Sequence, residues 1–243
     1  SKQEQAREAE WTWLSETKAQ LDAKRQELAE QRAQIAEAVE EPVAAEGEEV
    51  EDEQAEAVAV DLEAQVKQLE EEIEQLTEEF GGRLVAFINA DPPIEGEQPS
   101  ERQMALIRMK SGEDMVMAQE WIEKGGDYKR AIEIYKTALI YDPDNERLSA
   151  ALAEAESFRY MTEERFAKAK KGMTRDEVRQ ALGQPNLRNV REFPERNVVA
   201  WFYPSGEGGS AAAVWFQPDK QEELKVYRLD FKGIQGRGGE EGS

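Results

Sequence analysis

The stretch from Lys171 to Pro185 writes out a short helix with both of its ends specified. Thr174 is a good N-cap, and Glu177 stands three residues on, so the pair has the form of a capping box. Met173 and Val178 take the flanking positions of a hydrophobic staple. Gly183, after Leu182, supplies a left-handed residue that ends the helix, and Pro185 keeps it from resuming. A helix of about two turns is marginal in isolation. Its ends and apolar face therefore need a folded domain around them, which commits this end of the chain to tertiary structure.

The remainder of the 243 residues has a different character. Charged residues make up 35% and apolar residues only 39%, a balance that fits solvated helices better than one large core. The net charge of -22 argues against nucleic acid or an anionic membrane as the main partner. Residues 37–79 hold eighteen acids against Lys67 alone, and account for most of that charge. Neither Cys nor His occurs, which removes thiol chemistry, disulfides, imidazole bases and the usual zinc sites. No apolar run reaches the roughly 18–20 residues of a membrane span.

Residues 1–40 predict a helix in which Leu14, Leu21, Leu28 and Ile35 recur every seven positions, with Trp11 just before them. Lys18, Arg25 and Arg32 fall at the companion heptad sites, so the seam is narrow. Pro42, Gly47 and a dense acidic run predict a solvated linker from Glu40 to Gln54. In the second helix Leu62, Val66, Leu69, Ile73, Leu76 and Phe80 alternate four and three apart, the spacing of a coiled-coil seam, and Gly81-Gly82 is expected to end it. Heptads do not fix orientation, so two arrangements follow: an antiparallel hairpin of the two helices, or a parallel homodimer of the second. Residues 83–88 read as a last helical turn or a short strand. Ser100 is expected to cap a helix to Lys110, and Ser111 to cap the next, with Asp114 three residues on.

Gly126, Asp127, Tyr128, Ala131, Tyr135, Ala138 and Pro143 carry a pattern of small and large residues by which two antiparallel helices pack closely. From Ser111 to Asn145 the chain resembles a tetratricopeptide repeat. Met115, Ala118, Gln119 and Ile122 stand at that family's key positions in the first helix. A long helix from about Asn145 to Ala169, with Leu148, Leu152, Ala155, Phe158 and Phe166, is expected to cap the repeat. The resemblance implies either a partner-gripping concave surface or a helical spacer. It carries over no clamp residues, since gripping members use several repeats.

Three strand-like segments follow the capped helix: 198–203, 211–216 and 224–231. Their short loops predict an antiparallel meander covered on one face by the helix. Alternation puts either Phe202 or the pair Trp201 and Tyr203 on the outer face. Gly172, Met173, Thr174, Glu177, Val178, Leu182, Gly183, Pro185 and the aromatic run Trp201-Phe202-Tyr203 together resemble the SmpA/OmlA family, the BamE-like lipoprotein domain of bacterial outer membranes. The likeness covers roughly 167–232. It implies a non-enzymatic interaction domain, associated with the outer membrane in the bacterial periplasm and assisting insertion of outer-membrane proteins. A lipid anchor upstream of Ser1 would go with it, although family members are usually short lipoproteins and this chain has no Cys. The fold also occurs in β-lactamase inhibitors. Composition alone leaves a cytoplasmic location open.

The expected fold is α+β and mainly α. It comprises coiled-coil helices over 1–82 with an acidic linker at about 41–54, a helical repeat region over 83–170, an α+β module over 171–232, and a flexible tail over 233–243. Catalysis is not expected: carboxylates are plentiful but lie in solvated runs, no phosphate loop follows a strand, and the acidic run 46–53 lacks EF-hand spacing. No cofactor or metal is implied. The expected function is a protein-binding scaffold or assembly factor of the cell envelope. The alternatives are a self-associating rod built on the Leu62–Phe80 seam, and an inhibitor presenting Trp201 or Trp215. The signature residues themselves are expected to be structural: caps, helix stops and core aromatics.

Overall fold

A computed structural model describes residues 1–40 and 49–235, with side chains for 1–36 and 60–235. The fold is mainly helical, α+β, with a four-stranded antiparallel sheet near the C-terminus. The chain divides into two compact units, Ser1–Lys110 and Ser111–Ser243.

The first unit is built on two long helices, α1 (Lys2–Glu40) and α2 (Glu49–Ala90). They run antiparallel. Glu10 is bound by Arg83, Lys24 by Glu72 and Arg32 by Glu70, so partner numbers fall on one helix as they rise on the other. The hairpin is thus the arrangement the single chain adopts. Leu14 and Leu21 meet Phe80, Leu84 and Phe87, and Leu106 closes the cluster from the start of α3 (Glu101–Gly125).

The charged companion sites of α1 behave differently from a broken seam. Thr17, one position before Lys18, takes the inner place at 4% exposure. Lys18 folds onto its own helix to meet Asp22 at 2.5 Å, while Arg25 donates to the Thr77 hydroxyl at 3.2 Å. Other cations of α1 reach the acids of α2, Lys24 meeting Glu72 and Arg32 meeting Glu70. Such exposed pairs are worth about 0.2–1 kcal/mol each, so they set register more than stability.

Several expected boundaries move. Gly81-Gly82 does not end α2, which continues to Ala90 because Leu84 and Phe87 bury beyond it. Two helical glycines cost about 2 kcal/mol against alanine, and two buried large side chains outweigh that. Residues 83–88 are accordingly helical. The linker is shorter than expected, since Glu40 lies in α1 and Glu49–Gln54 in α2; residues 41–48 lie outside the described part. Nor does Ser111 start a helix. It is fully buried inside α3, and its hydroxyl donates to Asp142 Oδ2 at 2.6 Å rather than capping a backbone amide.

The second unit begins with the latter half of α3, against which α4 (Tyr128–Tyr141) and α5 (Glu146–Arg159) pack. Ala118, Ala131 and Ala138 are fully buried where α3 and α4 approach, with Tyr135 and Leu148 alongside. Pro143 stands exposed in the turn that follows α4. The expected long helix to Ala169 is broken. Tyr160 leaves helical geometry, the Met161 amide donates to Pro204 O at 2.7 Å, and Thr162 caps a new short helix, α6 (Glu163–Phe166). Phe166 consequently joins the core of the sheet instead of capping the helical repeat.

The capping box at Thr174 and Glu177 is present as read, and starts α7 (Arg175–Leu182). Gly172 and Met173 are held to β4 by two backbone hydrogen bonds with Val226, at 2.8 and 2.9 Å. The sheet is a meander of β1 (Val190–Phe193), β2 (Val198–Pro204), β3 (Ala211–Pro218) and β4 (Leu224–Ile234). β1 was not anticipated. β4 also runs further than expected, pairing Ile234 with Ala211, so the tail cannot begin at Gly233; residues 236–243 lie outside the described part.

Two glycines join the helical part to the sheet part. Gly126 has φ 61°, and a Cβ there would lie 2.3 Å from the Pro185 carbonyl oxygen. Gly183 has φ 91° and ψ 170°, outside the left-handed helical region expected for it and in one that only glycine populates readily. Its Cβ would lie 2.8 Å from the Tyr128 hydroxyl and 3.2 Å from Phe158. The Pro185 backbone therefore occupies the space a side chain on Gly126 would need, and the Tyr128 and Phe158 rings the space one on Gly183 would need.

Gly126→Ala should destabilise the second unit by about 2–4 kcal/mol, from positive φ plus overpacking. Gly112→Ala, in open space within α3, should instead stabilise by about 0.5–1 kcal/mol; urea unfolding measures both, and equal effects would contradict the interlock. In the first unit, Ile73→Asp should cost about 2 kcal/mol or more by placing a carboxylate against the hairpin core. Circular dichroism should show lost helix while light scattering shows unchanged mass, whereas a parallel dimer would lose half its mass.

Candidate functional site

The sheet has two faces of different purpose. Trp201, Tyr203, Ala212, Val214 and Phe216 turn inward and bury with Val178 and Leu182 of α7. Trp201 packs on Phe216 with ring centroids 4.6 Å apart. The Tyr203 hydroxyl donates to Gly183 O at 3.0 Å, and burial pushes its phenol well above the ordinary value. The open choice left by alternation is thereby decided: Trp201 and Tyr203 are core, and Phe202 faces out. Trp201, at 2% exposure, is unavailable as a surface anchor.

The outer face carries a group that the sequence pattern did not assemble. Register sets Ala200 against Trp215 and Phe202 against Ala213. Trp215 lies between two rings. Phe193 stacks on it at 5.8 Å and Phe202 meets it edge-on at 5.9 Å. Ala200 and Ala213 beneath have no exposure, because the rings cover them. All three rings are themselves half-exposed. Arg228 sits over Trp215 at 5.7 Å and Arg196 over Phe193 at 4.8 Å. Phe193 enters through β1, the strand that sequence reasoning missed; Val190 and Phe193 are three apart with two charges between them, so no alternation marked it.

The seam residues of α2 have a different fate. Leu69 and Phe80 are buried, and Leu62, Val66, Ile73 and Leu76 are half-buried. Phe80, Ile73 and Leu76 pack into the hairpin core with Leu14 and Leu21. The part of the seam toward Phe80 is thus occupied within the chain.

The signature residues hold structure together. Gly172, Met173, Thr174 and Glu177 fix the start of α7, and Val178 and Leu182 fill the core. Gly126, Tyr128, Gly183 and Pro185 form the interlock, with Tyr128 stacked on Phe158 at 5.8 Å.

Buried carboxylates also went unanticipated. Asp142 accepts from Ser111 and, at 2.8 Å, from Asn145, whose side-chain oxygen in turn caps α5. Asp114 accepts from the Tyr141 hydroxyl, which burial and that carboxylate together push above its ordinary value. These bonds fasten the α4–α5 turn to α3 and occupy the acids structurally. Among the described residues, no three carboxylates converge as metal ligands would, and no helix is long and apolar enough to cross a membrane.

No protein-family model, curated protein or solved structure matches this chain. The site must therefore be judged on its own chemistry. Three aromatic rings on a floor of alanines, with Arg228 and its partner Asp230 at their edge, offer apolar area, ring faces and charge.

The two faces differ in what substitution should do. Trp201→Ala should cost about 3–5 kcal/mol by emptying the core. Phe202→Ser should cost about 1 kcal/mol, the worth of one aromatic pair. Thermal unfolding of the two variants, compared with the parent, checks the assignment of faces.

Proposed function

We propose that the protein is a non-enzymatic, protein-binding scaffold or assembly factor of the bacterial cell envelope, docking a partner on the outer face of its sheet. The observation that carries this reading is the half-exposed trio Phe193, Phe202 and Trp215, which no other described element covers. Large rings with few rotatable bonds are efficient binding anchors, and their flanking arginines add directional contacts. The absence of Cys and His from the sequence and the engagement of the buried acids in structural bonds agree with a binding role. The envelope assignment rests on the SmpA/OmlA-like signature from Gly172 to Pro185, and the helical middle is read as a spacer or partner-holding repeat on its tetratricopeptide-like pattern.

The reading has a direct test. Immobilised full-length protein should retain outer-membrane assembly proteins from an envelope extract of its host. Phe202→Ser combined with Trp215→Ala should cut retention at least about tenfold, the scale of losing two anchors, with the circular dichroism spectrum preserved. Unchanged retention overturns the docking face. A host protein found only in the cytosol, without an exported precursor, overturns the envelope assignment. The same face supports a second reading, an inhibitor, since Trp215 and Phe202 are aromatic anchors able to enter an enzyme cleft. Capture of a single soluble enzyme, with loss of its activity, distinguishes it.

A further inference from the structure

A separate feature lies within the second unit, where the Gly126 and Gly183 turns meet. Beside them opens a cleft of about 290 Å³, with walls that include Tyr128, Phe158 and Tyr160 and a floor that includes Tyr203 and Leu182. Its size is at the lower end of small-molecule pockets, which begin near 300 Å³. It therefore suits one bulky side chain better than a large ligand.

The charge around the cleft is opposite to that of the chain. Lys129 on α4, Arg159 at the end of α5 and Arg188 in the turn 187–189 all line it. None of the three makes an ion pair among the described residues, and Arg159 leans only on the Tyr160 ring at 4.9 Å. The one acid in the lining, Asp127, caps α4 by accepting from the Arg130 amide at 3.1 Å, and its charge leaves the lining with an excess of two cations. Behind the Phe158 wall, Arg165 stacks on that ring at 4.1 Å with its Nη1 buried and lacking an acceptor. In a chain of net charge -22, an aromatic cleft lined by three cations and a single acid stands out as a local reversal.

We propose that this cleft binds an acidic peptide segment of a partner protein, inserting one aromatic or large aliphatic side chain between Tyr128, Phe158 and Tyr160 while flanking carboxylates meet Lys129, Arg159 and Arg188. Charge complementarity selects the occupant. The cations stand on three separate elements, so a ligand with a single carboxylate answers one of them, whereas a segment with acids on both sides of its anchor answers all three. The rings are satisfied only by an apolar group between those acids. The outer sheet face does not take part, so this site stands or fails independently of that one.

Isothermal titration calorimetry with the full chain tests it. The probe is an end-blocked pentapeptide with phenylalanine between two glutamates on either side. Saturable one-to-one binding is expected, with Kd of the order of 0.1 mM. Lys129→Gln and Arg188→Gln, both at exposed positions, should each weaken it about threefold and together about tenfold. Lys220→Gln and Trp215→Ala, away from the cleft, should leave it unchanged. Raising salt from 0.05 to 0.5 M should weaken it at least about fivefold. Peptides with alanine for phenylalanine, or glutamine for glutamate, should bind at least about tenfold more weakly. No saturation by about 2 mM, or affinity indifferent to the two glutamine variants or to loss of the phenylalanine, overturns the proposal. So does phenylacetate binding as tightly as the peptide, which would make the occupant a small aromatic anion. Self-association reversed by the double glutamine variant would likewise overturn it, giving the cleft to a second copy of the chain.

Discussion

The second unit depends on the mutual exclusion at Gly126 and Gly183. One turn ends the loop before α4 and the other ends α7; an added carbon would strike the Pro185 backbone from Gly126, and the Tyr128 hydroxyl from Gly183. The contact is short because both residues adopt positive φ that side-chain-bearing residues enter at a cost. Tyr128 and Phe158 then stack across the Gly183 side, and the Tyr203 hydroxyl holds the Gly183 carbonyl from within the sheet. Residues that could be explained as separate local signals, a repeat glycine and a helix-stop glycine, are parts of one joint. The cleft beside it is a consequence: two modules that touch through backbone leave a gap where their larger side chains diverge.

In the first unit, charge has a comparable organising role. Both helices carry more acids than bases, so opposite charges must be placed face to face for them to pack. α1 supplies Lys24, Arg25, Arg32 and, from the other direction, Glu10 to meet Arg83. The Arg83 guanidinium is bidentate to Glu10, at 2.7 and 2.6 Å, and lies 3.4 Å over the Trp13 ring. That one residue combines an ion pair with ring stacking, which lysine could not reproduce. Its hydrogen bonds hold the Glu10 carboxyl below the usual carboxylate range. A lowered carboxyl pKa stabilises the fold above the unfolded value and loses that contribution as pH falls through the folded one; with the pair half exposed, solvent keeps the effect small.

The legible parts of the fold were those fixed by neighbours in sequence. Thr174 and Glu177 are three residues apart and satisfy one another whatever the rest of the chain does. Leu62 to Phe80 repeat at a period that only a helix can present on one face. The errors lie where a distant residue decides. Gly81-Gly82 reads as a stop until Leu84 and Phe87 find Leu14. Ser111 reads as a cap until Asp142 takes its hydroxyl. Residues 145–169 read as one helix until Pro204 captures the Met161 amide. The outer aromatic face was half legible: alternation narrowed Trp201, Phe202 and Tyr203 to two orientations, but choosing between them needed the α7 contacts. Adding Phe193 needed a strand of four residues, too short for its pattern to declare itself.

Taken together, the two surfaces have complementary chemistry. The outer sheet face offers aromatic area edged by Arg196 and Arg228, suited to broad contact with a folded partner. The cleft offers depth and three cations, suited to a single extended segment. The cleft runs against the acidic balance of the chain, whereas on the outer face Arg228 and Arg196 stand beside Asp230 and Glu195. In a strongly negative chain, a localised positive recess is selective by charge: long-range repulsion discourages non-specific contact, while short-range attraction is confined to where shape also fits. The joint at Gly126 and Gly183 links the two properties. It brings the cation-bearing ends of α4 and α5 up to the turn carrying Arg188, so the contact that joins the two parts of the unit also forms this recess.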